Sequence, residues 1–120
     1  MSGAFAEGLL ANGFDVVDVG LISTDQLYFG SGSLDAPGAV FTASHNPAGY
    51  NGIKMCLQGA APITTAGLTA MRDFAATVDV AAVPVATRRG ERTTVDLLDG
   101  FVRHLHGFID VEVLRPLRVV

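Results

Sequence analysis

Three side chains able to handle a phosphoryl or acyl group stand close together in the sequence: Ser44, His45 and, ten positions after Ser44, Lys54. Serine is a nucleophile once its hydroxyl is activated. Histidine donates or accepts a hydrogen bond, and a lysine ammonium stabilises developing negative charge. A serine beside a histidine raises nucleophilic hydrolysis as a first reading. Two features weigh against it. Adjacent residues on a strand or loop point apart, which predicts no direct bond between Ser44 and His45. The sequence also lacks a G-x-S-x-G elbow. Taken singly, each residue has a bland reading: a turn serine, a solvated histidine, a lysine guarding a strand edge.

The elements around them are more informative. Ala39-Val40-Phe41 reads as a short buried strand. It breaks into Thr42-Ala43-Ser44-His45-Asn46-Pro47, and Asn46-Pro47 marks a turn because proline restricts itself and the residue before it. Asn51-Gly52 is a hairpin signal. Ile53-Lys54-Met55-Cys56-Leu57 resumes as a strand. A tight connection between the two strands brings Lys54 back towards Ser44.

The run Thr42-Ala43-Ser44-His45-Asn46-Pro47, followed by Tyr50-Asn51-Gly52-Ile53-Lys54, resembles the active-site serine loop of the α-D-phosphohexomutases, the phosphomannomutases and phosphoglucomutases. The serine-to-lysine spacing fits as well. The resemblance implies that Ser44 is the phosphorylated serine, passing its phosphoryl group to a hexose phosphate through a hexose bisphosphate intermediate. It implies Lys54 as the cation beside the transferring group, also a candidate for proton transfer. His45 becomes a hydrogen-bond donor to phosphate or substrate. Asn46, Asn51 and the Thr42 hydroxyl are assigned to shaping the loop. In the family, Mg²⁺ is held by the phosphoserine and by aspartates of a D-G-D-x-D-R loop, which this sequence does not contain. Ser44, through its phosphate, is thus the one metal-binding position implied here. The sugar-recognition and second phosphate-binding loops of the family have no counterpart either.

Composition limits the other classes. The chain has 120 residues, of which 49% are hydrophobic and 17% charged, with a formal net charge of −4. An acidic balance argues against a general nucleic-acid or membrane-surface binder. No apolar run is long enough to span a membrane. The single cysteine, Cys56, permits no internal disulfide and reads as a small buried hydrophobe. With no signal peptide, this points to the cytoplasm.

The remaining pattern alternates helices and strands. Ser2 to Asn12 reads as a helix with Gly13 as its cap, and Phe14 to Gly20 as a strand. Ser23 or Thr24 caps a second helix with Asp25 in its first turn. Thr64 or Thr65 caps a third helix through Leu68, Met71 and Phe74. Val80 to Val85 shows β-branched alternation. Arg88 to Arg92 reads as a solvated, charged loop. Thr94 caps a fourth helix carrying His104 and His106, which are two apart and face different sides. Arg115 to Val120 reads as the start of a strand. Short connections of this kind predict an incomplete three-layer α/β/α domain with a mostly parallel sheet, in which Ala39 to Thr42 is central. The resemblance divides the chain into residues 1–92, part of the family's first domain, and 93–120, a linker helix and first strand of the second. It implies a piece of a four-domain enzyme, with uncovered strand edges that favour self-association. The alternative is a non-catalytic fragment or interaction module derived from such an enzyme.

Overall fold

The computed structural model describes residues 1–119. The order is α1 (Ser2–Ala11), β1 (Val16–Asp18), α2 (Thr24–Ser33), β2 (Gly38–Phe41), β3 (Ile53–Leu57), β4 (Ala61–Pro62), α3 (Thr65–Thr77), β5 (Arg92–Thr94) and α4 (Leu98–His106). The fold class is α/β. Among the described residues parallel pairing is confined to β1 and β5, in the register Val16↔Arg92 to Asp18↔Thr94. The other sheet runs β2-β3-β4 and is antiparallel, because a hairpin and a tight turn join its members. The middle strand is therefore β3. The expectation that Ala39 to Thr42 would be central is corrected: β2 keeps one free edge.

Local chemistry explains the helices. Ser23 closes a capping box with Gln26: the Gln26 N–H donates to Ser23 Oγ at 3.2 Å, and the Ser23 N–H donates to Gln26 Oε1 at 2.9 Å. The Thr64 hydroxyl accepts from the Gly67 N–H at 3.1 Å and starts α3. At α4 the expected cap, Thr94, lies instead in β5, and Asp96 accepts from the Leu98 N–H at 2.8 Å. Val80–Ala82 forms a 3-10 turn, not a strand. No strand forms in residues 114–119. Val120, the last residue of that expected strand, lies outside the described residues.

The core is small. Ala6 and Leu10 of α1, Leu27 of α2, Cys56 of β3 and Leu97 are buried, with Cys56 the most enclosed at 2% exposure. Helix α2 lies over β2 and β3, and Leu27 meets the strand where Gly38 leaves room; a Cβ there would sit 2.7 Å from Leu27 Cδ1. Helix α4 packs on α2 through Phe29 and Phe101, whose rings are 5.6 Å apart. The His104 ring lies 5.2 Å from Phe29 and 4.9 Å from Phe108.

The charged run Arg88 to Arg92 is more than a solvated loop. Arg88 pairs with Asp15 at 3.0 Å, Arg89 with Glu7, and Arg92 with Asp18. The Gly90 N–H donates to the Leu10 carbonyl at 2.8 Å. Backbone passes so close here that a Cβ on Gly90 would stand 1.9 Å from the Phe14 oxygen. This clasp lays β5 against β1. The Glu91 N–H and then Arg88 hold the Asp15 carboxyl below its ordinary 3.8. Arg92 and then the Gly20 N–H do the same for Asp18. A depressed folded value contributes stability above 3.8 that is lost as pH falls through the lowered value. Acidification below 3.8 is therefore expected to release β5, modestly, since both carboxylates are open to solvent. Hydrogen exchange at Val16 and Val95, corrected for intrinsic rate, should rise in that range. In the double variant Asp15→Asn, Asp18→Asn the rise should vanish; an unchanged rise would place its origin elsewhere.

Candidate active site

Strand β2 hands the chain to Thr42 at the mouth of the hairpin. The Thr42 N–H donates to the Gly52 carbonyl at 3.0 Å, extending the pairing one step beyond the ladder. Gly52 is required by close approach: a Cβ would lie 2.9 Å from the Thr42 oxygen. The expectation that Asn51-Gly52 forms the hairpin turn is thus corrected. The reversal is made by two successive turns instead, closed by Asn46 N–H to Ala43 O at 3.1 Å and Tyr50 N–H to Pro47 O at 2.9 Å. A longer loop results, and Pro47 sits at the head of its second turn.

Ser44 lies inside the first turn with φ +54°, a left-handed conformation unusual for a residue with a Cβ. Its N–H donates to Thr42 Oγ1 at 3.0 Å. Its Oγ lies 3.3 Å from His45 Nδ1. The expectation that neighbouring side chains would point apart is overturned at this point. Alternation belongs to extended strands, and a left-handed residue turns its side chain out of that pattern. Ser44 and His45 are both exposed.

Lys54 pairs in register with Val40, two residues before Thr42. Cross-strand partners and positions two apart share a sheet face, so Lys54 and Thr42 belong to one face at the hairpin mouth. Lys54 is exposed and enters no ion pair among the described residues. The hairpin thus gathers a serine, a histidine and a cation at one end of the sheet. Sequence reasoning missed the bond from Ser44 to Thr42 and the Ser44–His45 contact; the Asn46-Pro47 turn signal was the cue that strand geometry stops before Ser44.

Among the described residues no group of three or more His, Cys, Asp or Glu could hold a metal ion. The residues present do not make a self-contained Mg²⁺ site. An open groove of about 840 Å³ lies between α2 and α4 and is lined by Tyr28, Phe29, Phe101 and His104; Ser44 is not part of its lining. Among the described residues no helix is long and apolar enough to cross a membrane.

An α/β unit with an exposed serine on a turn after a strand, answered by a lysine on the returning strand, defines the class of the site. The family model for the phosphoglucomutase/phosphomannomutase alpha/beta/alpha domain I matches residues 1–81. The chain belongs to this phosphoglucomutase/phosphomannomutase family. It is 40% identical over 120 residues to a phosphomannomutase of Escherichia coli K12, covering 98% of this chain and 26% of that protein. A protein of Xanthomonas campestris named for phosphohexose mutases is 39% identical, with 98% and 26% covered. A crystal structure of a phosphoglucomutase/phosphomannomutase family protein from Burkholderia thailandensis superposes with a TM-score of 0.68 at 32% identity, covering 90% of this chain and 24% of that one. The chain spans about a quarter of the length of the curated relatives it matches.

Proposed function

We propose that this chain supplies the phosphoryl-carrying serine of a phosphohexomutase, with Ser44 as the site of phosphorylation and a hexose phosphate as the substrate. The observation that carries the reading is Ser44 itself, exposed and held left-handed on the turn after β2, with His45 Nδ1 at 3.3 Å. Backbone strain of this kind recurs at active sites, and at Ser44 it coincides with an exposed hydroxyl. In the proposed step a sugar hydroxyl oxygen bonds the phosphorus as the bond to Ser44 Oγ breaks, and the proton given up by the sugar hydroxyl is returned to the departing Ser44 Oγ, with Lys54 as the candidate relay. The serine then regains a phosphoryl group from the other end of the hexose bisphosphate.

Lys54 offsets the charge on the transferring group, and His45 donates a hydrogen bond to it. Mg²⁺ would supply further charge neutralisation in the whole enzyme, with ligands beyond the Ser44 phosphate coming from outside this chain. We take residues 1–92 as part of the first domain and 93–120 as the run into the second, and the cytoplasm as the compartment.

A second reading has its own support: among the described residues no group of three or more His, Cys, Asp or Glu could hold a metal ion. A phosphoserine dianion facing a sugar phosphate dianion is repelled unless cations intervene. On this reading the isolated chain does not interconvert hexose phosphates. One experiment addresses both. The chain is exchanged for the matching quarter of the Escherichia coli phosphomannomutase, and chain and graft are assayed with glucose 1-phosphate primed by a hexose bisphosphate. Turnover by the graft alone is expected. Robust turnover by the isolated chain would overturn the second reading, and a folded but inactive graft would overturn the first.

A further inference from the structure

Among the described residues three with a Cβ hold positive φ: Asp35 at +50°, Ser44 at +54° and Ala60 at +60°. Two of them share one device. The Ala60 N–H donates to the Ser31 hydroxyl at 3.0 Å, and Ser31 is buried, its Oγ also reaching the carbonyls of Ala36 at 2.7 Å and Leu57 at 3.0 Å. The Ser44 N–H donates in the same way to the Thr42 hydroxyl at 3.0 Å. In each case a side-chain hydroxyl takes up the N–H of the left-handed residue itself. At Ala60 the hydroxyl is buried and linked to three backbone groups. At Ser44 the bond stands in an exposed loop, and the strained residue is the candidate nucleophile.

We infer that Thr42 is a positioning residue for Ser44: its hydroxyl holds the serine left-handed and so fixes Oγ beside His45. The inference rests on the reading of Ser44 as phosphoryl carrier. Thr42 is suited to the task. Its own N–H is bound to Gly52 O, and the close contact with Gly52 fixes its backbone at the hairpin mouth. A β-branched side chain is stiff about χ1, so the hydroxyl is presented in few directions. Removing this acceptor leaves the Asn46 N–H to Ala43 O bond as the one backbone closure of the turn across Ser44. The ordinary negative-φ regions are preferred for an L-residue, and relaxation into them swings Oγ away from His45.

The test uses Thr42→Val, which keeps the shape and removes the acceptor, and Thr42→Ser, which keeps the acceptor and removes the methyl. In the isotope-labelled chain, water exchange of the Ser44 amide is expected to quicken about five-fold in Thr42→Val, the worth of one hydrogen bond, and to return in Thr42→Ser. In the grafted enzyme Thr42→Val is expected to lower kcat about ten-fold with KM unchanged, because positioning of the nucleophile is lost while substrate contacts remain. Thr42→Ser should restore kcat, which a merely structural role of the methyl would not allow. A Ser44 amide equally protected in Thr42→Val overturns the inference, and so does an undiminished kcat. A fully active Ser44→Ala graft would instead overturn the reading of Ser44 as carrier, and the amide measurement would still decide whether Thr42 holds the turn.

Discussion

Ser44→Ala is expected to lower the turnover of the grafted enzyme by roughly a thousand-fold or more, with the graft still folded. The argument begins with the turn. Ser44 is the residue that the Ala43–Asn46 reversal carries to the surface, and its hydroxyl is the acceptor that the proposed chemistry needs. Alanine removes the atom to which the phosphoryl group is bonded, so no partial activity through a weaker nucleophile remains. The substitution costs the fold little, because Ser44 is exposed and its only backbone donor bond, to Thr42, does not involve its own side chain. Lys54→Ala differs in kind. Phosphoserine still forms, but transfer slows by about a hundred-fold, as for loss of one charge-stabilising donor. Mass measurement of the resting graft separates the two: no phosphorylated species in Ser44→Ala, a normal amount in Lys54→Ala. Equal phosphorylation of the Ser44→Ala graft would move the carrier to another residue.

Elements specified by local pattern were legible in the sequence, and those specified by distant pairing were not. Ser23 and Thr64 announced their helices because a cap is decided within three residues. The strands around the hairpin were visible because their apolar runs end in turn residues. Strand β5 was hidden. Arg92–Thr94 is short and polar, and it becomes a strand only because Asp15, Asp18 and the Phe14 backbone, more than seventy positions away, receive it. The free edge of β2 has the same origin: strand order is a property of the sheet and not of any one segment. The proposed site residues Ser44, His45 and Lys54 could be named from the sequence as a set. Their geometry could not, since it depends on the sign of one backbone angle at Ser44. A serine in a turn carries no local signal for positive φ comparable to that of glycine. The cue lay two residues upstream, in the hydroxyl of Thr42.

The isolated chain is expected to self-associate in solution, and surface area gives the reason. Its accessible surface is 9324 Å². A compact monomer of this mass exposes about 6,200 Å². The radius of gyration, 17.7 Å, likewise exceeds the roughly 14 Å of a compact chain of this length. The excess of about 3,100 Å² on one chain is more than the roughly 1,000–2,500 Å² that each partner buries in an obligate interface. Much of it is apolar and ordered along elements. Leu68, Met71 and Phe74 lie exposed on α3, at spacing that puts them on one side. Leu98, Val102 and Leu105 do the same on α4. The free edge of β2 adds unpaired backbone groups, with neither lysine nor proline in Gly38–Phe41 to guard it. Sedimentation is expected to show mass rising with concentration in the micromolar range. The double variant Leu68→Glu, Phe74→Glu places charge on the α3 face without touching a buried residue, and should shift the distribution towards monomer. The graft, in which these surfaces meet the rest of a full-length enzyme, should sediment as a single species and melt more sharply than the chain. A monomeric chain with a sharp two-state melt at high concentration would show that the exposed faces are tolerated in water.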